Sequence, residues 1–556
     1  MAIKLSLTSL FCLFIFTIFS QNDTIQFWVQ FTDKNNSPYS INAPNEFLSQ
    51  RAIDRRAKQN IAIEENDIPV NSAYIDSILN SGNFHLKNTS RWLNAITIST
   101  NDSVNITVLN NISFVQTIKN VQYLTLSNND YNAEELSFEK ELIVPINNQE
   151  HYPYGLSYNQ LNLHHIQHLH EYGLRGQGVH IAVIDAGFLN VNTTRGLEHL
   201  FSENRVLSTK DFVNHDGDVY HDHFHGAAVL SIIAGNIPGE YYGSAPKASF
   251  HLLRSENADN ELIVEEDNWI AAAEYADSVG VDMINTSLGY TQFDDTTQNH
   301  TYSDLDGNTT RIAIASDIAA SKGILLVTSA GNNGTSDWKY ISTPADADSI
   351  LTIGAVNEIG IRGDFSSVGP SADGDIKPNI ASVGWDTYYI SPFSQAVERG
   401  SGTSFSAPMA TGMIACLWQG LPHYNNMQIK QLVEESSNQY NSPDSLIGYG
   451  IPDISYAYQK ATGVKYITPK NNVIQLYPNP FYNHFNLKIS STTNQNITIE
   501  IYNNLGAKIK TTTFFTAQGF NQTTIQIDKK LDAGYYTLKI IFEDNTIFYK
   551  KVIKGI

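Results

Sequence analysis

Three patterns of apolar and polar residues follow one another along the 556 residues of the chain. Up to about residue 130, short alternating or periodic runs predict a strand at Ile25–Phe31, a helix at Ser72–Asn80 and a strand at Trp92–Ile98. From about residue 155 to 464, apolar strands alternate with helical segments, and after about residue 467 short strands alternate with turn residues. We therefore expect an α+β N-terminal domain, an α/β domain and a small C-terminal β-sandwich.

The middle segment has the strongest pattern, because strand and helix alternation is typical of a parallel sheet covered by helices on both faces. The predicted strands are His180–Asp185, Phe250–Leu253, Asp282–Asn285, Ile324–Thr328 and Leu351–Val356. The predicted helices are Ala227–Ala234, Asp267–Val279, Ile312–Ser321, Met427–Ser437 and a buried helix that runs from about Ser404 through Trp418. Functional residues of such sheets gather at the carboxyl ends of the strands, so a site is expected there.

Charge and export signals narrow the classes of partner. Lys and Arg number 35 against 56 Asp and Glu, and the net charge of -21 argues against nucleic acid or an anionic membrane as partner. Lys4 and the apolar run after it predict a secretory signal peptide over residues 1–20, and no later stretch is apolar enough to span a bilayer. Since Cys12 lies in that signal, Cys416 is expected to be a core residue without a disulfide.

Ser404 lies at the predicted start of the buried helix, within the run Gly402–Gly412. A serine at a helix start is ordinarily an N-cap, but the free N–H groups there also favour developing negative charge. As a nucleophile, its hydroxyl needs a base and a third group that orients the base. His225 and Gly226 directly precede the apolar helix predicted from Ala227, where Gly226 permits a close approach, and Asp185 ends a buried strand. A helix N-terminus disfavours an imidazolium, so a protonated His225 needs a nearby anion, which the carboxylate of Asp185 can supply.

These motifs resemble those of the subtilisin-like serine proteases, the subtilases of family S8. Gly402-Thr403-Ser404 with Ala407-Pro408 is similar to the nucleophile motif, and the order Asp185, His225, Ser404 is that of the family's triad. Phe405-Ser406 and Ala227 depart from the usual residues without touching the three catalytic groups. The resemblance implies a subtilisin-like parallel sheet flanked by helices, hydrolysis of peptide bonds through an acyl-enzyme, and no cofactor for the chemistry.

The resemblance also implies an oxyanion site and a substrate site. The loop Ser329–Gly334 follows a buried strand and resembles the oxyanion loop, with Asn332 as the amide donor beside the N–H of Ser404. Residues that the resemblance assigns to substrate binding are Ser287, Leu288, Gly289, Ala330, Gly331, Ser342 and Thr343. Ser342 and Thr343 carry no charge, which favours a primary pocket for uncharged, apolar or aromatic side chains.

Both flanking domains resemble parts of exported proteases. The N-terminal domain, with Leu93-Asn94-Ala95, is similar to a subtilase propeptide, and an unrelated accessory domain is the alternative. The C-terminal strands resemble the sorting domain of the type IX secretion system, and a generic binding or adhesive sandwich is the alternative. That resemblance rests on Tyr477-Pro478-Asn479-Pro480, Leu531–Tyr536 and Lys550–Lys554, with predicted strands at Phe485–Ile489, Thr498–Tyr502 and Tyr536–Ile541.

Two groups of histidines and one group of aspartates could imitate metal sites. His221, His223 and His225 alternate in one group, and the other crowds one predicted helix with His164, His165, His168 and His170. Neither group has a cysteine partner or a His-Glu-x-x-His pattern, so we expect solvated or helix-capping histidines. The loop 290–310 holds Asp294, Asp295, Asp304 and Asp306. They could bind structural calcium, although their spacing is no EF-hand and suits a solvated loop equally.

The sequence therefore predicts a secreted or surface-exposed serine endopeptidase of a Gram-negative bacterium. Its expected parts are a signal peptide (1–20), a propeptide-like domain (21–130), a linker (131–154), a subtilisin-like catalytic domain (155–464) and a sorting domain (467–556). Expected partners are protein or peptide substrates and the type IX secretion machinery, and the enzyme is expected to be a monomer. A serine esterase and a catalytically silent surface adhesin are the rival functions. A serine esterase usually carries its nucleophile in the sequence Gly-x-Ser-x-Gly, but here Ser406 stands at the position of the second glycine.

Overall fold

A computed structural model describes residues 25–122, 153–463, 474–491, 494–516, 519–527, 531–543 and 546–555. The predicted signal peptide and almost all of the predicted linker lie outside these ranges. The chain divides into two compact units, residues 1–463 and 464–556, and each is described by itself.

The N-terminal domain of the first unit is a four-stranded antiparallel sheet with two helices. Its elements are β1 (Ile25–Phe31), α1 (Gln50–Gln59), α2 (Ser72–Asn80), β2 (His85–Ser90), β3 (Ala95–Thr100) and β4 (Val115–Gln122). The strand order is β2-β3-β1-β4. The strand predicted at Trp92–Ile98 begins at Ala95 instead, because residues 91–94 form the turn after β2, with Asn94 at a φ of 50°. Asparagine tolerates this left-handed conformation better than most residues.

Residues 153–463 alternate strands and helices, as the pattern predicts. The strands are β5 (His180–Asp185), β6 (Val206–Asp211), β7 (Asn236–Ile237), β8 (Tyr241–Tyr242), β9 (Ser249–Arg254), β10 (Met283–Thr286), β11 (Leu325–Ser329), β12 (Leu351–Val356), β13 (Ile380–Val383), β14 (Thr387–Ile390) and β15 (Val397–Gly400). The helices are α3 (Tyr158–Asn162), α4 (Ile166–Glu171), α5 (Glu198–Ser202), α6 (His225–Ala234), α7 (Val264–Val279), α8 (Arg311–Ser321), α9 (Thr403–Gly420), α10 (Asn426–Glu435) and α11 (Ile454–Thr462).

Seven of these strands form one parallel sheet in the order β13-β12-β11-β10-β5-β9-β6. Strand β5 shows why the predicted strands are apolar throughout. Ile181 and Val183 pack in the core with residues of α6 and α9, whereas Ala182 and Ile184 pack in a second core with residues of α7 and α8. Alternate side chains thus enter opposite helical layers, which is the predicted architecture of a sheet covered on both faces.

The N-terminal domain docks on α7 through a buried cluster of charges. Asp277 is fully buried and receives hydrogen bonds from Arg55, Arg56 and Arg91 of the N-terminal domain. Burial alone would raise the pKa of Asp277, but the three guanidinium groups hold it below its ordinary value. Asp67 pairs with Arg56 at 2.7 Å on the domain's own side.

The turn between β2 and β3 is held by a second carboxylate of α7. Glu274 accepts hydrogen bonds from Ser90 Oγ at 2.6 Å and from the backbone N–H groups of Arg91 at 2.8 Å and Trp92 at 3.1 Å. Because turn N–H groups need acceptors when they are buried, this contact fixes the hairpin on the helix.

The sequence suggested that the four clustered histidines lie on one helix, but the structure divides them. His164 and His165 lie between α3 and α4, and His168 and His170 lie on α4. His164 and His170 are buried in the core, so the expectation of solvated or capping histidines is wrong for these two. Cys416 is buried on α9, as expected of a core residue.

The second unit consists of two antiparallel sheets. Its strands are β16 (Ile474–Tyr477), β17 (His484–Ser491), β18 (Gln495–Tyr502), β19 (Lys508–Thr516), β20 (Gly519–Gln526), β21 (Gly534–Phe542) and β22 (Ile547–Lys554). The sheets have the orders β16-β17-β20 and β19-β18-β21-β22, and one apolar core takes Leu487 and Ile489 from the first and Ile499 and Leu538 from the second. This is the predicted sandwich. Within the described ranges, every helix of the chain is too short or too polar to cross a membrane.

Candidate active site

A cleft of about 300 Å³ opens at the carboxyl edge of the parallel sheet. Residues that follow four neighbouring strands line it: Ala186 after β5, Glu256 after β9, Ser287 after β10 and Asn332 after β11. The N-termini of α6 and α9 add further lining residues, which are His225 and Ser404. Strand ends and helix starts meet at this edge because parallel strands all point the same way.

Asp185 and His225 are in direct contact. His225 Nδ1 and Asp185 Oδ1 lie 2.7 Å apart, and the same oxygen accepts the N–H of Ala186 at 2.8 Å. Asp185 is completely buried and His225 is 8% exposed. A buried carboxylate in this position keeps the Nδ1 proton on its side of the ring, which leaves Nε2 as the basic nitrogen.

Gly226 makes this contact possible. A Cβ at Gly226 would lie 2.4 Å from the carbonyl oxygen of Gly187 and 2.9 Å from Asp185 Cβ. The start of α6 can therefore approach the end of β5 only without a side chain at position 226. His225 is the first residue of α6, two residues before the predicted helix start at Ala227.

Ser404 is the second residue of α9 and is joined to the end of β10 by a reciprocal contact. Its hydroxyl donates to the carbonyl oxygen of Ser287 at 3.2 Å, and the Ser287 hydroxyl donates to the carbonyl oxygen of Ser404 at 3.0 Å. Pro408 has no N–H, so it cannot make the helical hydrogen bond to the Ser404 carbonyl. The Ser287 hydroxyl supplies that donor and anchors the first turn of α9.

Asn332 is held in one orientation by Thr403, the residue before Ser404. Its Oδ1 accepts the backbone N–H of Thr403 at 2.8 Å and the Thr403 hydroxyl at 3.0 Å. Because a backbone N–H can only donate, the atom that faces it must be the amide oxygen. Thr403 Oγ1 also accepts the N–H of Gly331 at 3.1 Å, so one side chain ties the loop after β11 to the helix start.

The predicted substrate residues fall into two layers. Ser287, Leu288 and Gly289 line the cleft. The residues behind that lining are buried, namely Ala330, Gly331, Ser342 and Thr343.

Ser342 Oγ lies between the two glycines of the substrate segments. A Cβ at Gly289 would lie 2.1 Å from this oxygen, and a Cβ at Gly331 would lie 3.1 Å from it. Thr343 pairs with Tyr290 through two backbone hydrogen bonds of 2.8 and 3.2 Å. Ser342 and Thr343, which carry no charge, therefore pack behind the segment Ser287–Gly289 and support it.

The aspartates of the loop 290–310 make local hydrogen bonds. Asp295 accepts from Thr297, Asp304 from Thr301, and Asp306 from Asn308. Within the described ranges, one group of three carboxylates has oxygens within 4.8 Å of one another, and its members are the exposed residues Asp348, Asp373 and Asp375. Structural calcium stays a prediction.

The supporting roles of several residues escaped the sequence analysis. Thr403 and the Ser287 hydroxyl act through contacts between segments far apart in the chain. One sequence signal exists for the second of these: a proline four residues after Ser404 deprives its carbonyl of a helical donor. The acidic segment from Glu256 to Glu261, which lines the cleft, was also not singled out.

Family comparisons divide the chain into three matched segments. The Subtilase family matches residues 176–450, the Bacteroidota peptidase S8 propeptide domain matches residues 26–136, and the secretion system C-terminal sorting domain matches residues 475–554. The two outer matches favour the propeptide over an unrelated accessory domain and the sorting domain over a generic sandwich.

Named relatives align with about half of the chain. A thermostable alkaline protease of Halalkalibacterium halodurans is 28% identical over 55% of this chain and 73% of its own length. The serine protease AprX of Bacillus subtilis is 27% identical over 50% of this chain and 65% of its own length, which is less than two thirds. The crystal structure of MycP1 from Mycobacterium smegmatis is 21% identical, with a TM-score of 0.43 over 55% of this chain and 87% of that chain.

Proposed function

Since this chain carries a subtilase-family serine protease domain, we propose that it is an endopeptidase in which Asp185, His225 and Ser404 act as the catalytic triad. The observation that carries the proposal is the 2.7 Å contact between buried Asp185 and His225, in the cleft that Ser404 also lines. A serine nucleophile needs a base and a third group that orients the base, and His225 and Asp185 are suited to these two roles.

The proposed chemistry proceeds in two halves. Ser404 Oγ attacks the peptide carbonyl while His225 Nε2 takes its proton, and His225 then gives that proton to the leaving amine as the C–N bond breaks. In the second half, His225 takes a proton from water, the hydroxide attacks the acyl group, and the proton returns to Ser404. Asp185 stabilises the imidazolium in both halves.

The tetrahedral oxyanion would receive two hydrogen bonds. One comes from the backbone N–H of Ser404 at the start of α9, where the helix dipole also favours negative charge. The other comes from the side-chain amide of Asn332, whose oxygen is engaged by Thr403 and whose NH₂ group is therefore the donor end.

We propose that the substrate lies extended along Ser287–Gly289, which can pair with a peptide backbone. Ser342 and Thr343 support this segment without charge, so the side chain before the cleaved bond is expected to be uncharged and large. The type IX secretion machinery as exporter, a monomeric state and bound structural calcium complete the proposal.

Three functions can be separated with one purified mature enzyme. An endopeptidase hydrolyses casein, and a phosphonylating reagent that labels Ser404 abolishes this hydrolysis. Ester cleavage without casein cleavage would instead identify the esterase, and a protein that is neither active nor labelled would be the adhesin. The Ser404→Ala variant controls for contaminating host proteases.

A further inference from the structure

One wall of the cleft is acidic. Among the described residues that line it, the carboxylates are Glu256, Asp259 and Glu261, and lysine and arginine are absent. The guanidinium group of Arg254 contacts the backbone of the wall, because its Nε donates to the Glu256 carbonyl oxygen at 3.2 Å. Arg254 itself pairs with Asp211 and Asp222 at 3.3 and 3.0 Å.

The acidic wall, residues 256–261, is held at both ends. Glu265 on α7 accepts the N–H of Asn257 at 2.7 Å and the N–H of Leu262 at 3.0 Å. The carbonyl oxygen of Glu261 accepts the N–H of Asp294 at 2.9 Å. Tyr290, next to the substrate segment, donates its hydroxyl to Glu256. A segment with these anchors presents its carboxylates in a defined place, because reordering it would break buried hydrogen bonds.

The charges of the wall act on one another and on a further residue that lines the cleft. Burial raises the pKa of Glu265 well above its ordinary value, and Glu256 and Glu261 raise it further. Burial and His225 lower the pKa of His223, which also lines the cleft, whereas Asp185 and Asp259 raise it. The negative charge of the wall therefore favours a cation in this cleft.

We propose that the acidic wall selects peptide substrates that carry lysine or arginine at a position near the cleaved bond, other than the position before that bond. This inference rests on the proposed endopeptidase function and names a substrate class for it. Selection there is compatible with an uncharged primary pocket, because the wall and the pair Ser342–Thr343 lie on different segments of the site. A basic side chain would relieve the repulsion among the carboxylates and gain an ion pair with exposed Asp259 or with half-buried Glu256 or Glu261.

The test uses the mature enzyme and internally quenched peptides with a fixed aromatic residue before the cleaved bond. Each of the four preceding and two following positions is varied in turn among Lys, Gln and Glu, and kcat/KM is measured at low and at high salt. At one or more positions we expect Lys to exceed Gln, and Gln to exceed Glu, by about two- to fivefold for each carboxylate involved. Added salt should reduce this preference, because it screens exposed charges.

Isosteric variants locate the effect. Asp259→Asn and Glu261→Gln should each reduce the Lys/Gln ratio, and the double variant should reduce it most. Glu358→Gln is the matched control, because Glu358 is exposed and does not line the cleft. An equal reduction in the double variant and in Glu358→Gln would attribute the preference to the net charge of the chain and overturn the inference.

The Lys/Gln ratio of kcat/KM in the wild-type enzyme tests the inference without any variant. Equal kcat/KM for Lys and Gln peptides at every position and low salt would overturn the acidic-wall inference and leave the endopeptidase function standing. Failure to cleave any peptide or casein would overturn the proposed function, and the inference that rests on it would fall with it.

Discussion

At the scale of single residues, the orientation of Asn332 decides whether an oxyanion site exists. The hydroxyl and the backbone N–H of Thr403 both donate hydrogen bonds to the amide oxygen of Asn332, at 3.0 and 2.8 Å. The donor end of the amide is thereby fixed before a substrate arrives. Such preorganisation is what makes a hydrogen bond useful to a developing charge, because no reorganisation is then needed during the reaction.

Replacing this donor should affect turnover more than binding. We expect Asn332→Ala to lower kcat with little change in KM, and the loss of such a donor in a subtilisin, which sets the scale, lowers kcat by about 10²–10³-fold. Peptide hydrolysis measures both constants, and stoichiometric labelling of Ser404 by a phosphonylating reagent shows that the variant is folded. Unchanged kcat would remove Asn332 from the mechanism.

A second prediction at this scale concerns buried His164 and the dependence of stability on pH. Its Nδ1 lies 3.1 Å from the Pro452 carbonyl oxygen, and Ser382 Oγ lies 2.9 Å from Nε2. Burial lowers the pKa of His164 to about 4 from its ordinary 6.5. Since the unfolded chain then binds the proton more tightly, this residue lowers the free energy of unfolding as pH falls from 6.5 towards 4, by up to about 1.4 kcal/mol per pH unit.

His164→Asn keeps a donor for Pro452 but cannot take up the proton. Above pH 6.5 the variant should be less stable than the parent, because Ser382 loses its partner. The deficit should shrink between pH 6.5 and 4. Urea unfolding in the inactive Ser404→Ala background, compared at pH 7 and pH 5, measures it, and a deficit that is the same at both values would contradict the buried neutral histidine.

Motifs in the sequence identified the catalytic residues, but they did not reveal the roles that Thr403 and Ser287 have only in the folded chain. Asp185, His225, Ser404 and Asn332 each occupy a strand end, a helix start or a loop after a strand, and such places can be recognised from patterning. Thr403 and Ser287 matter because segments remote in sequence lie side by side. No local periodicity encodes that proximity.

At the scale of elements, helix α7 serves two neighbours. Its Ala272 and Ala276 pack in the core beneath the sheet, while Glu274 and Asp277 receive the N-terminal domain. Its first turn contains buried Glu265 and Glu266, which the sequence placed outside the helix by starting it at Asp267. Acidic residues suit the N-terminal turn of a helix, so polarity there was a poor guide to the boundary.

The Asp277 cluster should dominate the docking of the N-terminal domain. Asp277→Asn would take this buried carboxylate from Arg55 and Arg91, while Arg56 would keep its pair with Asp67, and breaking a buried ion pair costs about 3–5 kcal/mol. In full-length Ser404→Ala protein, hydrogen exchange of α1 and of the β2–β3 hairpin should rise strongly. Asp282→Asn is the control, because its pair with Arg51 is partly exposed and such pairs contribute about 1 kcal/mol or less. Equal exchange in both variants would count against the cluster.

At the scale of the whole molecule, the chain joins a propeptide, a subtilase domain and a sorting domain. It is a secreted or cell-surface protein of a Gram-negative bacterium. The succession of three domains could be predicted because the hydrophobic pattern changes along the chain, and their identities could be predicted from the resemblance of their motifs. The charge cluster between the propeptide and α7 could not be predicted, since Arg55, Arg91 and Asp277 are far apart in sequence and meet only in the fold.

The sorting domain should be needed for export and not for chemistry. Its apolar core is built from its own residues, so removing residues 468–556 should leave the peptidase folded. We expect the truncated protein to remain in the cell envelope and to hydrolyse casein after release by lysis. Culture supernatants and a periplasmic marker enzyme provide the measurement and the leakage control. Normal secretion of the truncated protein would refute the sorting role.

Self-processing joins the propeptide to the active site. If the propeptide is removed by the enzyme itself, the first bond cut lies in its own chain, and we expect that bond to lie in the polar sequence of the predicted linker (131–154). Ser404→Ala removes the nucleophile together with the hydrogen bond from its hydroxyl to Ser287 O. That loss costs about 1 kcal/mol, so the fold should survive while acylation cannot occur.

In a host without related proteases, the wild type should lose its N-terminal domain, while Ser404→Ala protein should keep that domain after signal removal. Mass spectrometry of both purified proteins locates the new N-terminus. Adding wild-type enzyme to the Ser404→Ala protein then shows whether cleavage also occurs between molecules. If the Ser404→Ala protein alone were trimmed at the wild-type position, another protease would be responsible. The contacts of Asp277 and Glu274 would then describe a docked domain that a different enzyme releases.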